Sequence, residues 1–145
     1  MKTHHRKMPA DYIRFGEAWF LLLVARCMLV VLPFRRLAPL LGRDITAESI
    51  PLMQNGRQAM AAEISTAIRR GCRHAPFRTM CFEKAIAAKL MLRLRRMPSV
   101  LFLGVSFEKG GVKTMKAHAW LQYGDSIVTG GDEMQQYHPV GIFYS

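Results

Sequence analysis

The sequence predicts an α+β domain in which helices come first and an antiparallel sheet follows. Three observations predict it. Up to residue 96 the apolar residues recur at helical spacing or run on in long apolar stretches punctuated by Gly and Pro. After Pro98 the pattern changes to short alternating segments separated by glycine pairs. The chain has 145 residues, 50% of them apolar, which suits one domain with a real core rather than a disordered segment.

Residues 1–10 read as a basic tail, and 11–145 as the domain. Asp11 to Leu32 reads as a helix, opened by Pro9 and Asp11 and closed before Pro33. Leu37 to Leu41 is a short apolar piece ended by Gly42, and residues 44–55 are polar and turn-rich. Gln58 to Arg70 carries Met60, Ile64, Ala67 and Ile68 at helical period and is expected to stop at Gly71. Pro76 resets the chain. The next helix runs from Cys81 to Arg96, with Ile86, Leu90 and Leu94 on one face, and ends before Pro98. Strands follow at Val100 to Phe107, Lys116 to Tyr123 and Ser126 to Thr129. Turns are expected at Gly110-Gly111 and Gly124-Asp125, and Gly130-Gly131-Asp132 breaks the third strand. A last extended piece covers Val140 to Tyr144. No internal repeat or low-complexity linker is present.

The net charge is +11 and the pI about 10.2. Such a surface suits an acidic peptide, an anionic membrane or nucleic acid. The cations recur as Arg35-Arg36, Arg69-Arg70 and Arg93, Arg95 and Arg96, near the ends of apolar segments. That is where cations complement helix C-termini, and no nucleic-acid motif accompanies them, which argues against nucleic-acid binding. The apolar run over residues 18–34 is slightly short for a membrane span, with Arg26 near its centre and Pro33 near its end. No small-x-small cleavage pattern follows it. A helix packed in the domain or on a partner is the favoured reading, with peripheral membrane contact as the alternative.

Three cysteines, Cys27, Cys72 and Cys81, show neither a disulfide framework nor metal-ligand spacing, and fit a reducing cytoplasm. Cys27, in a Leu/Val-rich run, reads as core. Cys72 reads as part of a helix-ending loop. Of His4, His5, His74, His118 and His138, none pairs with a cysteine at zinc spacing. No metal or cofactor is called for.

Cys81 stands where a turn becomes a helix. The positive end of a helix dipole favours a thiolate over a thiol. His118 follows 37 positions later in an alternating segment, Ala117-His118-Ala119-Trp120-Leu121. An imidazole alongside could take the thiol proton, giving a cysteine nucleophile and its base. The plainer alternative is a buried cysteine that only fills a core. Trp120, two residues on, shares the histidine's face and either packs beside it or fills the core.

These segments resemble the transglutaminase-like leader peptidases of lasso peptide biosynthesis, the cysteine-peptidase part of the so-called B proteins. Pro76-Phe77-Arg78-Thr79-Met80-Cys81-Phe82-Glu83-Lys84-Ala85 is similar to the family's nucleophile segment. Ala117-His118-Ala119-Trp120-Leu121 is similar to its histidine strand, and Val128-Thr129-Gly130-Gly131 to the continuation. Glu17-Ala18 and Pro33-Phe34-Arg35-Arg36-Leu37-Ala38 are similar to its N-terminal helical region, and Phe102-Leu103-Gly104-Val105 to the strand after the nucleophile helix. The resemblance implies a transglutaminase-like, papain-like peptidase fold, with Cys81 as nucleophile and His118 as base. The family's third member is an Asp about a dozen residues after the histidine, a place that falls here around Gly130. The nearest carboxylates are Asp125 and Asp132. Asp132 is the expected third member, because Gly130-Gly131 could bring the chain back toward the histidine. A backbone carbonyl or an Asn or Gln side chain could partly substitute.

The activity implied is removal of the leader from a ribosomally made precursor peptide. A separate ATP-dependent lasso cyclase would then use the freed amine. Many members carry or work with a leader-recognition domain. The first ten residues cannot hold one, so a separate leader-recognition protein is the expected partner. An acyltransferase on the same fold, or a catalytically inactive peptide-binding module, are the alternatives.

Overall fold

The computed structural model describes residues 9–51, 56–107, 115–132 and 134–145. Apart from one short strand, helices precede the sheet, as expected: α1 (Pro9–Val31), α2 (Phe34–Leu41), β1 (Arg43–Asp44), α3 (Gln58–Arg73), α4 (Cys81–Leu94), β2 (Val100–Phe107), β3 (Met115–Tyr123), β4 (Ser126–Thr129) and β5 (His138–Tyr144). Short 3₁₀ turns lie at Ala47–Ser49 and Met134–Gln136. Most of the expected tail, and the Gly110-Gly111 turn, fall outside the described residues; Pro9 and Ala10 already belong to α1.

The sheet is antiparallel, in the order β1-β5-β2-β3-β4. β2 and β3 pair from Val100↔Gln122 to Phe107↔Met115. The last strand does not continue beyond β4. It returns to the other side of β2, with Leu101 opposite Phe143. β1 then extends that edge through Arg43↔Tyr144.

Helix α4 lies between α1, α3 and the sheet. Ala85, Ile86, Ala87, Ala88, Met91 and Leu92 are all buried, so it is covered on almost every side. The single Ile86, Leu90, Leu94 stripe expected from periodicity is therefore wrong at its end: Leu94 is 69% exposed. Close packing on small alanines, rather than one leucine face, sets the position of α4. The helix expected to stop at Gly71 runs on to Arg73, so Cys72 lies inside α3 and not in a loop. Gly71 is buried against α1, where a Cβ would come within 3.0 Å of Leu22 Cδ1. The glycine permits close helix contact there; it does not break the helix.

α1 buries Ala18, Leu22 and Ala25 and turns Ile13, Phe20 and Val30 outward. Cys27 lies on this exposed side, contrary to its expected place in the core. Both faces of α1 are apolar in composition, and composition cannot tell which one the fold covers. Among the described residues no helix is long and apolar enough to cross a membrane.

Lys89 is the unusual core residue. Only 2% exposed, it sits on α4 beneath the sheet. Its Nζ donates to Ser99 O and Ser99 Oγ at 3.1 Å and to Phe143 O at 3.4 Å, tying α4 to the start of β2 and the end of β5. Burial, with the Arg93 charge nearby, lowers its pKa to about 7. The unfolded chain, with an ordinary lysine near 10.5, binds more protons than the folded one between these values. Stability should therefore rise with pH from about 7 toward 10, while below 7, where both states hold the proton, this contribution is flat. Urea titrations should show a gain on the order of 2 kcal/mol between pH 7 and 9, absent in Lys89→Met. An unchanged slope in that variant would show that Lys89 is not its source.

Candidate active site

Cys81 is the first residue of α4, and Met80 before it is extended (φ −105°, ψ 173°). The backbone N–H groups of a helix's first turn have no intrahelical partner and point out of its N-terminus. This helix start is fixed from two directions. Glu83, 3% exposed, accepts from the Met80 backbone N–H at 3.2 Å. Its other oxygen accepts from Arg26 Nη1 at 3.0 Å. The lone charge in the apolar run of α1 thus neutralises a buried carboxylate in the first turn of the cysteine helix. A buried carboxylate left unpaired would be costly, so the two residues need each other.

His118 lies on β3 opposite Gly104 of β2. Alternation along β3 sends Ala119, Leu121 and Tyr123 into the core, while His118 and Trp120 share the other face. Their rings lie 6.0 Å apart, and Trp120 stacks on Phe102 at 5.3 Å. Trp120 therefore packs beside the histidine, one of its two expected roles. Tyr137, which had no signal in the sequence, has its ring centre 5.0 Å from that of the imidazole. Gly104 makes room for these rings, since a Cβ there would come within 2.7 Å of Trp120 and 2.9 Å of Tyr137.

The Nε2 of His118 is 2.7 Å from the carbonyl oxygen of Gly130. A carbonyl only accepts, so Nε2 carries a hydrogen, and in the neutral ring the lone pair is on Nδ1. The place where the resemblance puts an Asp is thus filled by a backbone group. Gly130 has φ +76°, and a Cβ on it would run into Ala119 O and lie 3.0 Å from Trp120 Cβ. No side chain fits at this position, so an orienting group here has to be backbone.

Cys81, His118 and Asp132 all line one cavity of about 610 Å³ between the helices and the sheet. Its helix wall comes from Ser65, Ile68 and Arg69 of α3 with Cys81 and Lys84 of α4. Its sheet wall is His118 and residues 127–132. The Gly130-Gly131 turn does carry Asp132 to the cavity, but the carboxylate is exposed and Nε2 is bonded to Gly130. Asp125 sits in the exposed turn between β3 and β4, away from this wall. Cys72 belongs to α3 and Cys27 to the outer side of α1, and neither lines the cavity. Among the described residues no three His, Cys, Asp or Glu side chains are grouped so as to hold a metal ion.

Residues 28–141 match the model of a family described as the Transglutaminase-like superfamily. No curated protein and no solved structure matches the chain. The match takes in α2 to β4, with both Cys81 and His118.

Proposed function

The chain belongs to the transglutaminase-like superfamily, and from that premise we propose that it is a cysteine peptidase that removes the leader from a ribosomally made lasso precursor peptide. The observation that carries the chemistry is one cavity holding both a helix-start cysteine and a histidine whose Nε2 is tied to a carbonyl. The order and spacing of the segments around them support the finer reading.

In this reading Cys81 Sγ gives its proton to Nδ1 of His118 and attacks the scissile carbonyl carbon. The backbone N–H of Cys81, at the helix start, donates to the oxyanion. Collapse breaks the C–N bond, and His118 returns the proton to the leaving amine. Water then attacks the thioester with His118 as base, releasing the leader acid and regenerating the thiol. Gly130 holds the ring and its tautomer. Asp132 adds a carboxylate on the same sheet wall as the imidazolium.

Leader recognition falls to a separate protein. Two features support this. The outer side of α1 exposes Ile13, Phe20, Val30 and Val31, an apolar face of the kind that partners cover. The net charge of +11 would draw an acidic partner or leader. The ATP-dependent lasso cyclase then acts on the freed amine, and the site would lie in the cytoplasm with both partners.

The test is leader release from a candidate precursor, followed by mass spectrometry, with and without the candidate recognition protein at 50 and 500 mM salt. Release is expected to be slow from the chain alone and at least about tenfold faster with the partner. It should weaken at high salt. Full activity from the chain alone, insensitive to partner and salt, would rule out the partner. A product carrying an added amine in place of water would identify an acyltransferase.

A further inference from the structure

The charges lining the cavity are lopsided. Arg69 of α3 and Lys84 of α4 lie on the helix wall together with Cys81. Arg69 Nη2 donates to the neutral Thr66 Oγ1 at 3.4 Å. Lys84, one helical turn after the cysteine, has no ion-pair partner among the described residues. Three other helix cations do have carboxylate partners: Arg14 with Asp11 and Glu63, Arg26 with Glu83, and Arg95 with Glu17. Facing Arg69 and Lys84 are Ile127, Val128, Thr129 and two glycines, with Asp132 the one carboxylate among the described lining residues.

We propose that Arg69 and Lys84 form a subsite for a carboxylate side chain, so that the enzyme selects peptides with Asp or Glu close to the bond that Cys81 attacks. This rests on the reading of Cys81 as a peptide-cleaving nucleophile. Exposed Arg69 and half-buried Lys84 both reach the cavity, where each can donate charge-assisted hydrogen bonds to a carboxylate that enters it. A guanidinium offers a fork and an ammonium a point charge, which together suit one carboxylate approached from two helices. The same pair repels Lys or Arg at that position of the substrate. Ser65, one turn before Arg69 on α3, adds a hydroxyl to the same wall.

The probe is a pair of small alkylating agents, iodoacetate and iodoacetamide, which differ by one negative charge. With either, Cys81 Sγ forms a bond to the CH₂ carbon and iodide leaves. The rate ratio of acid to amide is followed at each cysteine by mass spectrometry, with exposed Cys27 as internal reference. Any effect on the reactivity of the thiol itself cancels in the ratio. The ratio at Cys81 should exceed that at Cys27 by roughly tenfold. It should fall to the Cys27 value in Arg69→Gln/Lys84→Gln and be largely kept in Arg69→Lys. Iodoacetamide rates and melting curves report whether the variants are folded. Acetyl-glutamate N-methylamide should protect Cys81 better than acetyl-glutamine with a free terminal carboxylate.

A ratio at Cys81 equal to that at Cys27, or unmoved by the double substitution, overturns the subsite. Better protection by the terminal carboxylate overturns its assignment to a side chain. Failure of the catalytic reading looks different: Cys81 would then react with iodoacetamide no faster than Cys27, whatever the ratio does.

Discussion

Cys81→Ala should abolish leader release, with a loss on the order of 10⁴-fold or more, while the circular dichroism spectrum and melting curve stay close to wild type. Removing one sulfur from a half-buried position at a helix start leaves the caps of α4 in place, since Glu83 holds the Met80 N–H and Arg26 holds Glu83. His118→Ala should be about as damaging, and the double variant little worse than either, because nucleophile and base act as one unit. Cys27→Ala and Cys72→Ala should keep full activity, since neither residue lines the cavity. The measurement is single-turnover leader release by mass spectrometry. Release by Cys81→Ala at the wild-type rate would remove the cysteine mechanism altogether. A large loss in Cys81→Ala but not in His118→Ala would keep the nucleophile and reject its base.

Much of this site could be read from residue letters because its parts are local. A turn running into a helix at Cys81, and a histidine in an alternating segment, are patterns of neighbours. What could not be read were the things that depend on distant chain. β1 is two residues long and exists by pairing with β5, so it has no period of its own. The outward side of α1, with Cys27, is as apolar as the inward side, and which one is covered depends on where α3 and α4 pack. Gly71 could equally mean a helix end or a close helix contact, and the contact with Leu22 decides it. Arg26 reads in the sequence only as a charge that interrupts an apolar run, because its partner Glu83 lies 57 residues away. Tyr137 follows a short 3₁₀ turn, and nothing nearby in the sequence points it to His118.

The carbonyl at His118 Nε2 could be anticipated as a kind of substitute for the Asp, but the sequence could not place it. A backbone carbonyl has no letter of its own, and a glycine where an Asp was expected reads as a loss. The structure gives that glycine work that a side chain could not do, and substitutions can separate the carbonyl from the nearby carboxylates. Gly130→Val should cost at least about 100-fold in kcat with a much smaller change in KM. A residue with a branched Cβ cannot hold φ +76° beside Ala119 O without shifting the chain, and the shift takes the carbonyl off Nε2. Losing a ring-orienting partner leaves the imidazole free to take the wrong tautomer, and that fault alone is severe in serine peptidases. Asp132→Ala should cost only about tenfold, because its carboxylate is exposed and acts on the imidazolium through the field rather than through a bond to Nε2. Its effect should shrink further in 500 mM salt, whereas that of Gly130→Val should not. Asp125→Ala, in the turn beyond β3, should lose the least. Parallel kinetics of the three variants at low and high salt decide the matter. A loss at Asp132 as large as at Gly130 would make the carboxylate the true third member. A larger loss at Asp125 than at Asp132 would mean that the third member comes from the β3–β4 turn and that the cavity wall has been misassigned.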